Sequence, residues 1–204
     1  IPDYPRGKEI TIENLLTHTS GIYNYTNDRA FMEKETTKPI NRDSLIARFK
    51  THVLDFPPGE RFSYSNSGYI LLGYIIEKVT GRPYYQVVRE RIFQPLKMEH
   101  SGFDFAGLSG ADKATGYSPA GSDKPDIIVD SSVSYAAGAI YTTVGDLYKW
   151  DRALYGGRII SQASLQKAFT PYKSKYGYGW GIDSAYGKKV VQHGGGINGF
   201  VSYI

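Results

Sequence analysis

Apolar residues recur at Ile70, Leu71, Tyr74, Ile75 and Val79, a three-to-four spacing that predicts a helix from Ser67 onward, with Gly81 just past its end as a left-handed stop. Shorter runs repeat the pattern. Asn41 stands ahead of Leu45, Ile46 and Phe49 as a helix cap. Pro83, suited to a first helical position, and Pro95 bracket a segment that buries Val87, Val88 and Ile92. Thr11 before Ile12, Leu15 and Leu16 predicts a short helix lying on a core, which Gly21 stops beyond the polar run Thr17-His18-Thr19-Ser20. Thr143 and Asp146 resemble a capping box ahead of Leu147, Trp150 and Leu154, with Gly156-Gly157 after the end, and Ser161 caps a further helix that ends before Pro171. Residues 23–40 carry few spaced hydrophobics and read as an irregular excursion. Pro57-Pro58-Gly59 forces a turn, and residues 101–135 read as loop with at most brief strands.

Near the end the period drops to two. Tyr176, Tyr178, Trp180 and Ile182 alternate with Gly177, Gly179, Gly181 and Asp183, which predicts a strand, and Lys188 to Gln192 return antiparallel across a turn at Ser184 to Gly187. Helices first and strands last make an α+β chain. Residues 1–135 form a mainly helical, loop-rich region, and residues 136–204 hold helices and antiparallel strands of an incomplete α/β region. The opening Ile1-Pro2-Asp3-Tyr4-Pro5 has no polar lead-in and Phe200 to Ile204 stop inside a strand, so the expectation is truncation at both ends.

Composition narrows the classes. With 41% hydrophobic and 22% charged residues over 204 positions the chain buries a core. Its 24 basic and 20 acidic residues are scattered, which argues against a nucleic-acid partner. No cysteine is present, excluding disulfides and thiol catalysis. No stretch of eighteen apolar residues predicts a membrane span, and no signal-peptide pattern occurs. His18, His52, His100 and His193 are far apart without a His-Glu-x-x-His helix, so no metal site is expected.

Two short motifs carry candidate chemistry. In Tyr64-Ser65-Asn66 a phenol and a carboxamide two positions apart face one side of an extended segment while Ser65 turns away. A tyrosine beside a cation loses its proton below its usual value of about 10 and serves as a base. Spacing alone favours the plainer alternative, in which Asn66 caps the following helix and Tyr64 packs. In His193-Gly194-Gly195-Gly196 the glycines let backbone N–H groups approach a developing oxyanion beside an imidazole, or simply end a strand.

Together these segments resemble the family of class C β-lactamases, serine D,D-peptidases and related esterases and aminopeptidases. Ile10 to Gly21, which contains Leu16-Thr17-His18-Thr19-Ser20-Gly21, is similar to a family signature downstream of the nucleophile. Pro57 to Tyr69 resembles the stretch bearing its Tyr-x-Asn motif, and His193-Gly194-Gly195 resembles its third motif, Lys-Thr-Gly or His-x-Gly. The resemblance covers nearly the whole chain. It implies a β-lactamase/transpeptidase-like fold and acyl transfer through a serine ester, without a cofactor. Tyr64 then shares the base role, Asn66 orients the substrate, His193 assists electrostatically, and Gly194 to Gly196 bind the substrate, with the Gly196 N–H completing an oxyanion hole. All should line one cleft. The nucleophile's Ser-x-x-Lys motif is expected upstream of Ile1, so the chain alone is expected to be inactive. The literal match Ser164-Leu165-Gln166-Lys167 follows Tyr-x-Asn instead of preceding it and reads as ordinary helix surface.

Histidine in place of lysine at the third motif favours peptidase, amidase or esterase chemistry on small-molecule or peptide substrates over strong β-lactamase activity. The parent is expected to be secreted, periplasmic or in the cell envelope, with self-association possible through an exposed sheet edge. From another class, a nucleophile-free relative would bind cell-wall peptides without turnover. An α/β-hydrolase reading of His-Gly-Gly-Gly lacks the Gly-x-Ser-x-Gly elbow that fold requires.

Overall fold

A computed structural model of the chain describes residues 4–110, 113–118 and 121–204. The chain start at Ile1 to Asp3 lies outside the described residues. The periodicity around Ile70 produces α4, Asn66–Thr80, which ends at Gly81 with φ +68°. Ile70 is fully buried, whereas Val79, the last residue of the stripe, is 80% exposed. Packed around α4 are α1 (Ile12–Leu16), α5 (Tyr84–Val88) and α6 (Ser131–Gly138). Leu45 and Phe49 of α3 (Arg42–Lys50) join Ile70 in the same core, each side chain contributing about 1.5–3 kcal/mol by leaving water.

Several local expectations change. Residues 23–40 are not irregular throughout: a 3₁₀ turn at Tyr25–Asn27 leads into α2, Arg29–Lys34, where Asp28 caps the Phe31 N–H and a single fully buried ring, Phe31, supplies the anchor that periodicity could not reveal. Helix α1 ends at Leu16, and Thr17 to Ser20 form a buried polar segment before Gly21. Pro83 is the cap ahead of α5, one position before the first helical residue, and a π turn at Arg89–Phe93 continues it. Helix α6 crosses position 135/136, kinked where Tyr135 takes φ 37°, ψ −124°.

Thr143 caps α7, Val144–Tyr155, but the reciprocal half of the capping box is absent. The buried Asp146 carboxylate instead accepts from the His100 N–H, the Ser101 hydroxyl and Lys149. Ser161 caps α8, Gln162–Ala168, as expected.

The strand predicted from Tyr176 begins only at Gly181. The Gly177 N–H donates to Trp180 O, the Tyr178 N–H to Ala168 O and the Gly179 N–H to Leu16 O, so this segment turns back on itself against two helix ends. A β-carbon at Gly177 would overlap the Ala168 carbonyl oxygen, and Gly179 has φ +77°. Those glycines serve close approach and a turn, and the period-two pattern was a by-product. Strand β1, Gly181–Ala185, then pairs antiparallel with β2, Lys188–Gln192, across Tyr186 and Gly187, both at positive φ. Strand β3, Gly194–Ile197, pairs with β4, Phe200–Tyr203, so the chain changes partner at His193. Among the described residues no helix is long and apolar enough to cross a membrane.

Candidate active site

Thr17, His18, Thr19 and Ser20 are polar yet at most 2% exposed, and their hydrogen bonds explain why. Thr17 Oγ1 donates to Glu13 O, Asn14 Nδ2 donates to Thr19 Oγ1, and the two threonine hydroxyls meet at 2.9 Å. The carbonyls of this segment hold the next loop: Thr19 O takes the Gly59 N–H, His18 O the Ser63 N–H and Gly21 O the Asp55 N–H. Gly21 has φ +74°, and a β-carbon there would overlap the Phe56 carbonyl oxygen. The Thr-His-Thr-Ser-Gly segment is therefore the bracket on which residues 55–65 are hung.

Tyr64 stands at the end of that loop, 42% exposed. Its ring lies 4.0 Å from His18 and 6.3 Å from His193, centroid to centroid. Asn66 opens α4, with its N–H on Asn24 Oδ1 and its amide nitrogen on Thr26 Oγ1. Asn66 and Gly196 line one cavity of about 230 Å³ together with Ser134, Ala137 and Gly138 of α6. Gly194, Gly195 and Gly196 make up the exposed strand β3 opposite Tyr203, Ser202 and Val201. The structure thus brings Tyr64 to His193 and Asn66 to Gly196. A larger cavity of about 950 Å³ lies elsewhere, against Leu71, Tyr74 and Ile75 of α4, and none of these site residues lines it.

Three side chains to which the sequence assigned no role stand beside these residues. Tyr176, buried, meets His193 Nε2 through its hydroxyl at 3.0 Å. His18 touches the rings of Tyr64, Tyr69 and Tyr176. Tyr69 is tied by its hydroxyl to Leu16 O. The alternating tyrosines were visible in sequence, but nothing there joined Tyr176 to a histidine 17 positions away.

Burial dominates the electrostatics. The Tyr64 phenol is pushed above its ordinary value, opposite to the lowering expected beside a cation, because the described residues supply desolvation and no compensating charge. Tyr69 and Tyr176 are raised further for the same reason. His18 is lowered to about 4, first by burial and then by the charge of His193. No group of three acidic, histidine or cysteine side chains that could hold a metal occurs among the described residues. Ser164 is exposed and bonded to Ser161, the cap of its own helix.

Comparison with known proteins shows the family and the fold. The sequence profile of the beta-lactamase family matches residues 2–204. The chain is 39% identical over 182 residues to PbpX of Bacillus subtilis (strain 168), whose name assigns it to the penicillin-binding proteins, covering 88% of this chain and 44% of that protein. A D-stereospecific amidohydrolase from Streptomyces sp. superposes with a TM-score of 0.85 at 33% identity, covering 97% of this chain and 64% of the other. D-amino acid amidase from Ochrobactrum anthropi SV3, complexed with L-phenylalanine, gives 0.82 at 27% identity, covering 97% and 60%. The chain therefore spans less than two thirds of each of these relatives.

Proposed function

The chain belongs to the beta-lactamase family of serine hydrolases, and from that premise we propose that its 204 residues form the base and oxyanion side of a longer acyl-transfer enzyme whose Ser-x-x-Lys segment lies upstream. The observation that carries this reading is the meeting of Tyr64 with His193, and of Asn66 with Gly196 on one cavity wall, from motifs more than a hundred residues apart.

In this reading the upstream serine attacks a carbonyl and forms an acyl ester that water or an amine resolves. Tyr64 relays the proton to the leaving group. Because burial raises the phenol, its base role depends on the upstream lysine, whose ammonium would favour the phenolate. Asn66 orients the substrate amide. His193, held through Nε2, presents Nδ1 to a substrate carboxylate or the transition state, and the Gly196 N–H shares the oxyanion with the serine's own N–H.

Histidine at the third motif favours amide, peptide or ester bonds of D-amino-acid substrates over β-lactams, in keeping with the amidases and the penicillin-binding relative above. The names of these relatives also support a cell-envelope location for the parent. Strands β1 to β4 each have one edge without a partner strand among the described residues, and Val201 on β4 is 92% exposed, which supports self-association of the isolated chain.

The test compares the isolated 204 residues with the full-length protein, each incubated with a p-nitrophenyl ester, a D-amino-acid amide and a fluorescent penicillin and then weighed by mass spectrometry. The expected result is acylation of the full-length protein at an upstream serine and none of the isolated chain. Stoichiometric acylation of the isolated chain at one of its own serines would overturn the proposal. Absence of any upstream Ser-x-x-Lys would replace it with a cell-wall peptide binder.

A further inference from the structure

We infer that His18 is a positioning residue for Tyr64 and, through Tyr176, for His193. The inference rests on the acyl-transfer reading above and assigns a role to a buried imidazole that reading leaves unused.

The argument begins with the backbone on either side of Tyr64. In an extended segment the N–H groups of residues i−1 and i+1 point to the same side. Here both end on one residue: the Ser63 N–H donates to His18 O at 2.9 Å and the Ser65 N–H donates to His18 Nδ1 at 3.1 Å. His18 clasps Tyr64 by its two neighbours and lays its ring 4.0 Å from the phenol ring, centroid to centroid. It is itself held at φ +54°, a conformation that turns carbonyl and side chain toward the same loop.

Packing alone does not account for an imidazole at this position. With Nδ1 accepting, the ring proton sits on Nε2, which is buried without a hydrogen-bond partner among the described residues. A phenyl ring would fill the space without that unpaired donor. What it would lose is the acceptor for the Ser65 N–H, the group between the two residues of the Tyr-x-Asn motif. On its other side His18 lies 5.0 Å from the Tyr176 ring, and the Tyr176 hydroxyl reaches His193 Nε2. One side chain thus sets the Tyr-x-Asn motif directly and the His-Gly-Gly motif through a single intermediary.

The experiment uses the full-length protein and hydrolysis of a p-nitrophenyl ester. His18→Asn carries its amide oxygen near the position of Nδ1, and His18→Phe keeps a ring without an acceptor. Small misplacements of a catalytic group cost about 10²-fold, so His18→Phe should lose about 100-fold in kcat with KM within about threefold, while His18→Asn should recover at least about tenfold of that loss. Thermal unfolding of both variants separates this from a loss of fold. Wild-type kcat in folded His18→Phe would overturn the inference. Should His18→Phe fail to fold, His18→Gln, whose oxygen reaches toward Nε2 instead, takes its place, and equal activity of the Asn and Gln variants would overturn it. Tyr64→Phe distinguishes the levels: if that variant keeps full activity, the acyl-transfer reading fails and the inference falls with it, whereas an inactive Tyr64→Phe beside an unaffected His18→Phe removes His18 alone.

Discussion

Tyr64 is carried by a loop hung on Thr17 to Ser20, every one of them buried, whereas His193 is carried by a ribbon in which all four residues of β3 are exposed. The first region is specified by interior hydrogen bonds at close quarters, where one displaced group leaves others unpaired. The second consists of two-stranded ladders, which are marginal on their own. It is fastened to the rest of the chain at a few points, among them the Tyr176 hydroxyl on His193 and the Lys189 ammonium on the Phe169 carbonyl. On the proposed mechanism, the half that would hold the proton-transfer group is thus preorganised, and the half that would admit a substrate along a strand is left open.

The sharpest way to break the contrast is Gly21→Ala. A methyl group at φ +74° facing the Phe56 carbonyl oxygen should destabilise the protein by about 4 kcal/mol or prevent folding, read by urea unfolding. A change of similar size at Gly196, which has open space around its α-carbon, should cost far less.

Acid should also strike the Tyr64 side first. The unfolded chain gains a proton on His18 as pH falls through 6.5, while the folded chain holds this group neutral down to about 4. His18 therefore leaves stability intact above pH 6.5, and about 3 kcal/mol is lost as pH falls from 6.5 to about 4. Urea midpoints across that window should fall in the wild type and lose much of this slope in His18→Asn.

Tyr176→Phe cuts the hydrogen bond that joins the two regions and should cost about 1 kcal/mol. Its informative readout is the NMR signal of the His193 ring, which should broaden or shift while the rings around His18 stay in place. Unchanged His193 resonances would show that the ribbon holds His193 without help. Least affected of all should be Ser164→Ala on the exposed face of α8, within about 0.5 kcal/mol by thermal unfolding, since its hydroxyl meets Ser161 and its N–H stays capped.

Legibility followed the same division. The stripe of α4, its stop at Gly81, the Asn41 and Ser161 caps and the β1–β2 hairpin were readable because each is a local rule, satisfied by residues within a turn or two of one another. Helix α2 was missed because one buried ring sufficed, and the strand assigned from Tyr176 failed because its glycines answer to the end of the preceding helix at Ala168 and to Leu16, far away in sequence.

By itself the sequence determined the α+β class, the main helices, and two motifs whose residue types suit acyl transfer. Only the tertiary structure decided that Thr17 to Ser20 are interior, that His18 takes the N–H groups on both sides of Tyr64, and that Tyr176 holds His193. The reason is physical: helix periodicity and caps are local consequences of backbone geometry, but a buried polar side chain acquires its meaning from the partner that satisfies it, and that partner is chosen by the fold.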